Sequence, residues 1–233
     1  MTAGGGAGRH TAAGRGSFIV FEGGDGVGKT TQVDRLCQWL ADRGREVVRT
    51  FEPGDTSVGA QIRRLVLDPA TGDLDPRAEA LLYAADKAQH LALVVRPALD
   101  RGAVVVCDRY VDSMLAYQGA GRVLDLADVE RVARWATDDL RPDLTILLDA
   151  NPGEAVHLKA DLDRIEAAGV GFHDLVRAYF VDLAQRDPGR YLVLDARQTR
   201  DEISARVTSS VGRVVGLEPN GPDVSVPAAT MVP

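Results

Sequence analysis

The densest chemistry in this chain lies in the run Gly23-Gly24-Asp25-Gly26-Val27-Gly28-Lys29-Thr30. Its spacing, G-x-x-x-x-G-K-[ST], suits a polyphosphate. Glycines let the main chain wrap closely around the anion, so that successive N–H groups point inward. A helix opening after such a loop adds unpaired N–H groups and the positive end of its dipole. Lys29 would bring a mobile cation to the β and γ phosphates, and the Thr30 hydroxyl can ligate Mg²⁺. The bland alternative is a Gly-rich strand-to-helix turn that binds nothing; the placement of Lys-Thr behind Gly28 speaks against it. The motif implies a nucleoside triphosphate with Mg²⁺ and leaves the phosphate acceptor open.

A second polar group, Asp108-Arg109-Tyr110, follows the apolar run Ala103 to Cys107. At the end of a buried strand Asp108 can orient Mg²⁺ or its waters, and Arg109 can grip a phosphate bidentately. A surface ion pair is the alternative. Glu52-Pro53-Gly54 closes another β-rich run and, taken alone, reads equally as a plain turn. Other catalytic classes leave no trace: His10, His90, His157 and His173 lack metal-ligand spacing, and there is no G-x-S-x-G.

These residues need a scaffold that gathers them. Five short runs read as strands: Ser17 to Glu22, Glu46 to Thr50, Ala103 to Cys107, Leu144 to Leu148 and Tyr191 to Leu194. Helical spacing covers Thr30 to Arg43, with Gly44 as C-cap, and Val58 to Leu67. A longer helix opens at Asp75-Pro76 and runs towards Val95, and further helices are expected over Leu126 to Asp138, Gly171 to Ala184 and Arg200 to Val211. Strands alternating with helices imply an α/β fold: a five-stranded parallel sheet with right-handed crossovers and helices on both faces. Ligands in such folds bind beyond the carboxyl ends of the strands.

Composition narrows the classes. The 233 residues are 45% hydrophobic and 26% charged, with 27 basic against 34 acidic side chains and a net charge of −7. That excludes a chain disordered throughout, and no stretch approaches the roughly 20 apolar residues of a membrane span. The acidic balance argues against a nucleic-acid partner. Cys37 and Cys107 read as free thiols in a reducing cytoplasm. Residues 1–16 and 217–233 are expected to be disordered tails around one domain over 17–216, and residues 1–16 do not resemble a secretory signal.

Six segments, in order, resemble the thymidylate kinase family: Phe21-Glu22-Gly23, Glu52-Pro53-Gly54, Ala84 to His90, Asp108 to Arg122, Pro142 to Asp149 and Asp163 to Glu166. The resemblance runs over roughly Phe18 to Ala196. It implies a nucleoside-monophosphate-kinase sheet with a short lid, and transfer of the γ-phosphoryl of ATP to dTMP by a homodimer. It further implies that Gly23, Gly24, Asp25, Gly26, Val27, Gly28, Lys29, Thr30 and Thr31 hold the donor, and that Thr30 and Asp108 serve Mg²⁺. Arg109 would hold the acceptor phosphate, and Asp25 would approach the acceptor 3′-hydroxyl and Mg²⁺. Tyr83 would stack on the base and Lys87 would meet a base carbonyl, with Ser113 and Gln118 lining the base pocket. Glu52, Pro53 and Tyr117 complete the acceptor set.

The residue types fit those roles independently. Tyr83 and Lys87 lie four apart on one helical face and offer a pyrimidine an aromatic surface and a donor. Core packing for Tyr83, a solvated Lys87 and a surface amide for Gln118 are the alternatives. Three departures from the family pattern stand out: Phe51 precedes Glu-Pro-Gly where arginine is usual, Lys87 replaces arginine, and the lid is poor in arginine. His157 and Lys159 are its basic residues, so Arg164 in Asp163-Arg164-Ile165-Glu166 is the expected catalytic lid cation. Asp163 and Glu166 would order Mg²⁺ waters, or else form a helix-start pair. The departures leave room for a divergent enzyme acting on a modified nucleotide or related monophosphate, or for a non-catalytic nucleotide-binding paralogue. A GTPase would need an N-K-x-D, which is missing.

Overall fold

The computed structural model describes residues 15–122, 124–152 and 163–217. Among them the strands β1 (Phe18–Gly23), β2 (Val47–Phe51), β3 (Val104–Asp108), β4 (Leu144–Asp149) and β5 (Tyr191–Asp195) form one sheet in the order β2-β3-β1-β4-β5. Every pairing is parallel. The expected α/β fold and all five strands are present, each within a residue or two of its expected bounds.

Alternation along β1 explains the two covered faces. Ile19 and Phe21 point into a core shared with α1 (Lys29–Ala41) and α8 (Arg200–Val214), whose Val33, Leu36, Leu40, Ile203, Val207 and Val211 complete it. Phe18 and Val20 point the other way, onto Leu91, Val95, Ala98, Leu99 and Tyr110. The remaining helices are α2 (Ser57–Leu67), α3 (Pro76–His90), α4 (Arg96–Asp100), α5 (Val111–Met114), α6 (Leu126–Thr137) and α7 (Val170–Arg186). Caps set several starts. The Asp75 carboxylate accepts from the Arg77 amide ahead of Pro76, Thr56 caps α2, and Thr199 with Glu202 forms a reciprocal box at α8.

Three features depart from expectation. The helix from Pro76 does not stop near Val95; it widens into π-type turns over Leu91–Val95 and continues as α4. Val111–Gly121, read from sequence only as a motif, is helical, with α5 running into π-type turns over Leu115–Gly121. Its glycines look like loop residues but serve packing: a Cβ on Gly119 would come within 2.6 Å of Leu126, and one on Gly121 within 2.5 Å of the Phe172 ring. Gly16 and Leu217, expected in the tails, are tied down, the Gly16 amide donating to Leu99 and the Leu217 amide to Gly212, each at 2.8 Å. The expected lid positions His157 and Lys159 lie outside the described residues.

Candidate active site

The register brings the polar segments to one level. Phe21 pairs with Asp108, Asp108 with Phe51, and Gly23 with Leu148, so the ends of β1 to β4 open on one rim. Beyond β1 the chain makes the phosphate loop. Gly26 and Gly28 take φ of +76° and +93°, conformations open to glycine, and Gly28 leads into α1 with no side-chain cap. The first amides of α1 are therefore free for an anion. Gly23 is needed for another reason: a Cβ there would lie 2.3 Å from the Leu148 carbonyl oxygen.

Lys29 and Arg109 converge on one atom. Lys29 Nζ donates to the Gly23 carbonyl at 3.1 Å and to that of Gly24 at 2.5 Å. Arg109 Nη1 donates to the same Gly23 oxygen at 3.0 Å. Both cations are thus within hydrogen-bond reach of this one oxygen. Burial, then repulsion from Arg109, brings the Lys29 ammonium down to about 8. Asp25 offsets that repulsion. Its carboxylate accepts from Arg109 Nη2 at 2.6 Å and from the Tyr117 hydroxyl at 3.3 Å. Burial works against this carboxylate, yet Arg109 and Lys29 hold it well below the usual range.

Arg109 itself is held in a sparsely populated conformation, φ +69°. The anchor is Glu22, a fully buried carboxylate that sequence reading treated only as part of a motif. It accepts from the Tyr110 amide at 2.8 Å, the Ser113 amide at 3.1 Å and the Ser113 hydroxyl at 2.6 Å. Ser113 Oγ in turn accepts from Arg109 Nη1 at 3.1 Å. Burial, then the neighbouring Asp112, raises Glu22 to about 7.

Beside the loop a cleft of about 550 Å³ is walled by Tyr83 and Lys87 from α3, Ser113 and Gln118 from the α5 segment, Glu52 and Pro53 beyond β2, and Arg109. Lys87 is not solvated. Its Nζ is buried and paired at 2.5 Å with Glu52, whose other oxygen lies 2.7 Å from His90 Nδ1. His90 Nε2 is 2.6 Å from the Thr50 hydroxyl, which bonds Asp55. Burial opposes the charge on Glu52 and on Lys87, but each stabilises the other's ionised form. Nor is Glu52-Pro53-Gly54 a plain turn, because Glu52 is the buried centre of this network. Gln118 is 1% exposed, which rules out a surface amide; it donates to Glu79 at 3.2 Å. A second cleft of about 850 Å³, behind the phosphate loop, is lined by Leu147, Leu148, Val176 and Phe180, and shares Asp25 and Tyr117 with the first.

Thr30 Oγ1 and Asp108 Oδ2 stand 3.2 Å apart beside the loop. One hydroxyl and one carboxylate oxygen next to a phosphate cradle match the sparse protein ligation Mg²⁺ accepts. The other expected metal residues are not part of this pair. Asp163 Oδ1 accepts from the Ile165 and Glu166 amides, and Glu166 accepts from the Asp163 amide, so they form a reciprocal cap. Among the described residues no three His, Cys, Asp or Glu side chains gather as a metal cluster. Arg164, expected as the lid cation, points elsewhere: it is ion-paired with buried Glu79 and donates to the Val66 carbonyl at 3.1 Å. A buried carboxylate draws the nearest guanidinium, and here that competition decides the placement.

A family model for thymidylate kinase matches residues 21–207. The chain belongs to the thymidylate kinase family. It is 57% identical over 202 residues to the thymidylate kinase of Cutibacterium acnes, covering 87% of this chain and 98% of that one. The thymidylate kinase of Clavibacter michiganensis is 54% identical over 196 residues, covering 82% of this chain and 92% of that protein. The crystal structure of thymidylate kinase from Ehrlichia chaffeensis superposes with a TM-score of 0.71 at 29% identity, covering 84% of this chain and 99% of that one. The family membership bears out the resemblance read from the six segments.

Glu22, Glu79 and His90 escaped the sequence reading, although signals existed. Glu22 is a lone carboxylate in an apolar strand, which must find partners. Glu79 and His90 share the helical face of Tyr83 and Lys87, at spacings of three and four.

Proposed function

We propose that this thymidylate kinase family member transfers the γ-phosphoryl of ATP to the phosphate of dTMP, giving dTDP and ADP. The observation that carries the reading is the convergence of Lys29 and Arg109 on the Gly23 carbonyl, one cation from the donor cradle and one from the acceptor cleft. The curated thymidylate kinases at 57% and 54% identity support dTMP as acceptor. They lend nothing to a modified nucleotide or a non-catalytic role.

The acceptor phosphate oxygen is the nucleophile, so no side chain has to be one. A new P–O bond forms to the acceptor while the bond from γ-phosphorus to the bridging oxygen breaks, and ADP leaves with that oxygen. The protein supplies alignment and positive charge to the equatorial oxygens. Lys29 and the loop amides meet the donor phosphates, and Arg109 orients the acceptor. Asp25 fixes Arg109 and faces the acceptor sugar. Tyr83 stacks on the base, while Lys87, Ser113 and Gln118 line it. Thr30 and Asp108 would hold Mg²⁺, which would offset negative charge on the donor phosphates. With Arg164 paired to Glu79, Lys29 and Arg109 are the cations this reading places at the phosphates among the described residues. A cytoplasmic homodimer with a single domain over 17–216 completes the proposal; no described helix is long and apolar enough to cross a membrane.

A coupled ADP-release assay over dTMP, dUMP, UMP, dCMP and 5-substituted analogues tests it. dTMP is expected to give the highest kcat/KM. An analogue turned over while dTMP is not would refute the acceptor.

A further inference from the structure

Glu79 sits on the first turn of α3, outside the cleft, and is 1% exposed. Donors from two other segments converge on it. Oε1 accepts from Arg122 Nε at 3.1 Å and from Gln118 Nε2 at 3.2 Å, while Oε2 accepts from Arg122 Nη2 at 3.3 Å and from the Arg164 guanidinium. Both oxygens are therefore engaged by donors, two of them permanent cations, and the carboxyl group is ionised. An ionised carboxylate can only accept.

That property reaches Gln118. A side-chain amide carries an oxygen at one end and an NH₂ of similar size at the other, and half a turn exchanges them. Against Glu79 only the nitrogen end can bond; turned over, the amide would set its oxygen against a buried carboxylate, acceptor against acceptor. The oxygen end is thus held away from Glu79, and among the described residues no donor reaches it. It is not sealed in the core, unlike Gln32 Oε1, which is buried without a partner, and Gln118 borders the cleft with Tyr83 and Lys87. The cleft accordingly holds a donor in Lys87 Nζ and an acceptor in Gln118 Oε1. A pyrimidine imide edge offers the reverse pair, a carbonyl oxygen and an N3–H. Cytosine offers an amino group and an unprotonated N3, which an amide presenting its NH₂ would suit instead.

We propose that Glu79 is a positioning residue that fixes the polarity of the Gln118 amide and so makes the cleft select an imide base over an aminopyrimidine. Glu79 itself touches no substrate. The inference rests on the acceptor reading above and adds the group that sets one of its hydrogen bonds.

Glu79→Gln tests it, because a second amide can pair with Gln118 in either orientation. The dTMP KM and the inhibition constants of dCMP and dUMP against dTMP turnover are the readouts, and none depends on the fraction of enzyme that folds. Relative to the dTMP KM, the dCMP constant is expected to fall about tenfold or more in Glu79→Gln, the weight of one buried hydrogen bond gained on one base and lost on the other. dUMP has the imide edge of dTMP, so its constant relative to dTMP should stay within about twofold. Arg122→Gln removes one counter-ion but leaves Gln118 on Glu79, and its dCMP-to-dTMP ratio should also stay within about twofold. Should Glu79→Gln give no folded enzyme, Glu79→Asp decides: it keeps the charge for both arginines, draws the oxygens back by one carbon, and is expected to lower the ratio by at least about threefold. An unchanged dCMP-to-dTMP ratio in the folded Glu79 variant, dUMP moving as far as dCMP, or an equal fall in Arg122→Gln would overturn the assignment. A parent enzyme that releases no ADP with dTMP removes the acceptor reading itself. A parent that turns over dTMP, beside a Glu79 variant of unchanged ratio, removes Glu79 alone.

Discussion

The two halves of the site are built differently. The proposed donor cradle is eight consecutive residues that offer mostly main-chain amides, shaped by glycines at positive φ. The acceptor cleft draws on side chains from Asp25 to Ile165, locked by buried pairs between elements distant in sequence. In the first, recognition is a property of backbone conformation. In the second it depends on ions that the fold has taken out of water, each needing a partner. Damage to the cradle should therefore appear as lost rate, and damage beneath the cleft as lost stability.

Lys29→Ala is the sharpest case for the cradle. Single-turnover transfer is expected to fall by at least about 10³-fold, with the unfolding temperature close to the parent's. A large loss of stability would erase the distinction between the two halves. Lys87→Met is its counterpart under the cleft. It leaves Glu52 buried with only His90 beside it, and should cost about 3–5 kcal/mol in chemical denaturation. Denaturation at the parent's midpoint would show that the pair is replaceable.

Glu22 joins the halves, because it sits in β1 yet anchors the loop that carries Arg109. Its folded-state carboxyl, at about 7 against an ordinary 4.5, holds a proton that the unfolded chain has released between those values. Stability should therefore decline as pH rises through that window, by roughly 1–3 kcal/mol. Glu22→Gln cannot ionise and should show a flatter pH dependence in thermal melts from pH 4.5 to 7.5. Parallel curves for the two proteins would contradict the assignment.

Much of this was legible in advance, and the reasons are local. Apolar runs broken by glycine and proline disclose strands and turns, since burial on both sheet faces demands continuous hydrophobicity. The loop before α1 is readable because its shape is set by its own glycines and backbone. The helix over Val111–Gly121 was hidden because its glycines are there for contact with Leu126 and Phe172, which one-dimensional reading registers as loop composition. Arg164 differs from its sequence reading for a related reason: in sequence it is a spare cation, whereas in space it is paired with Glu79.

By itself, then, the order of residues determined the α/β architecture, the glycine-shaped loop before α1 and most of the residues that the fold gathers around one cleft, because periodicity and backbone chemistry act over a few residues. Only the tertiary structure decided which charges are paired with which. Desolvation makes each buried ion choose among neighbours that the chain brings from scores of residues away. That choice left Lys87 with Glu52 and Arg164 with Glu79.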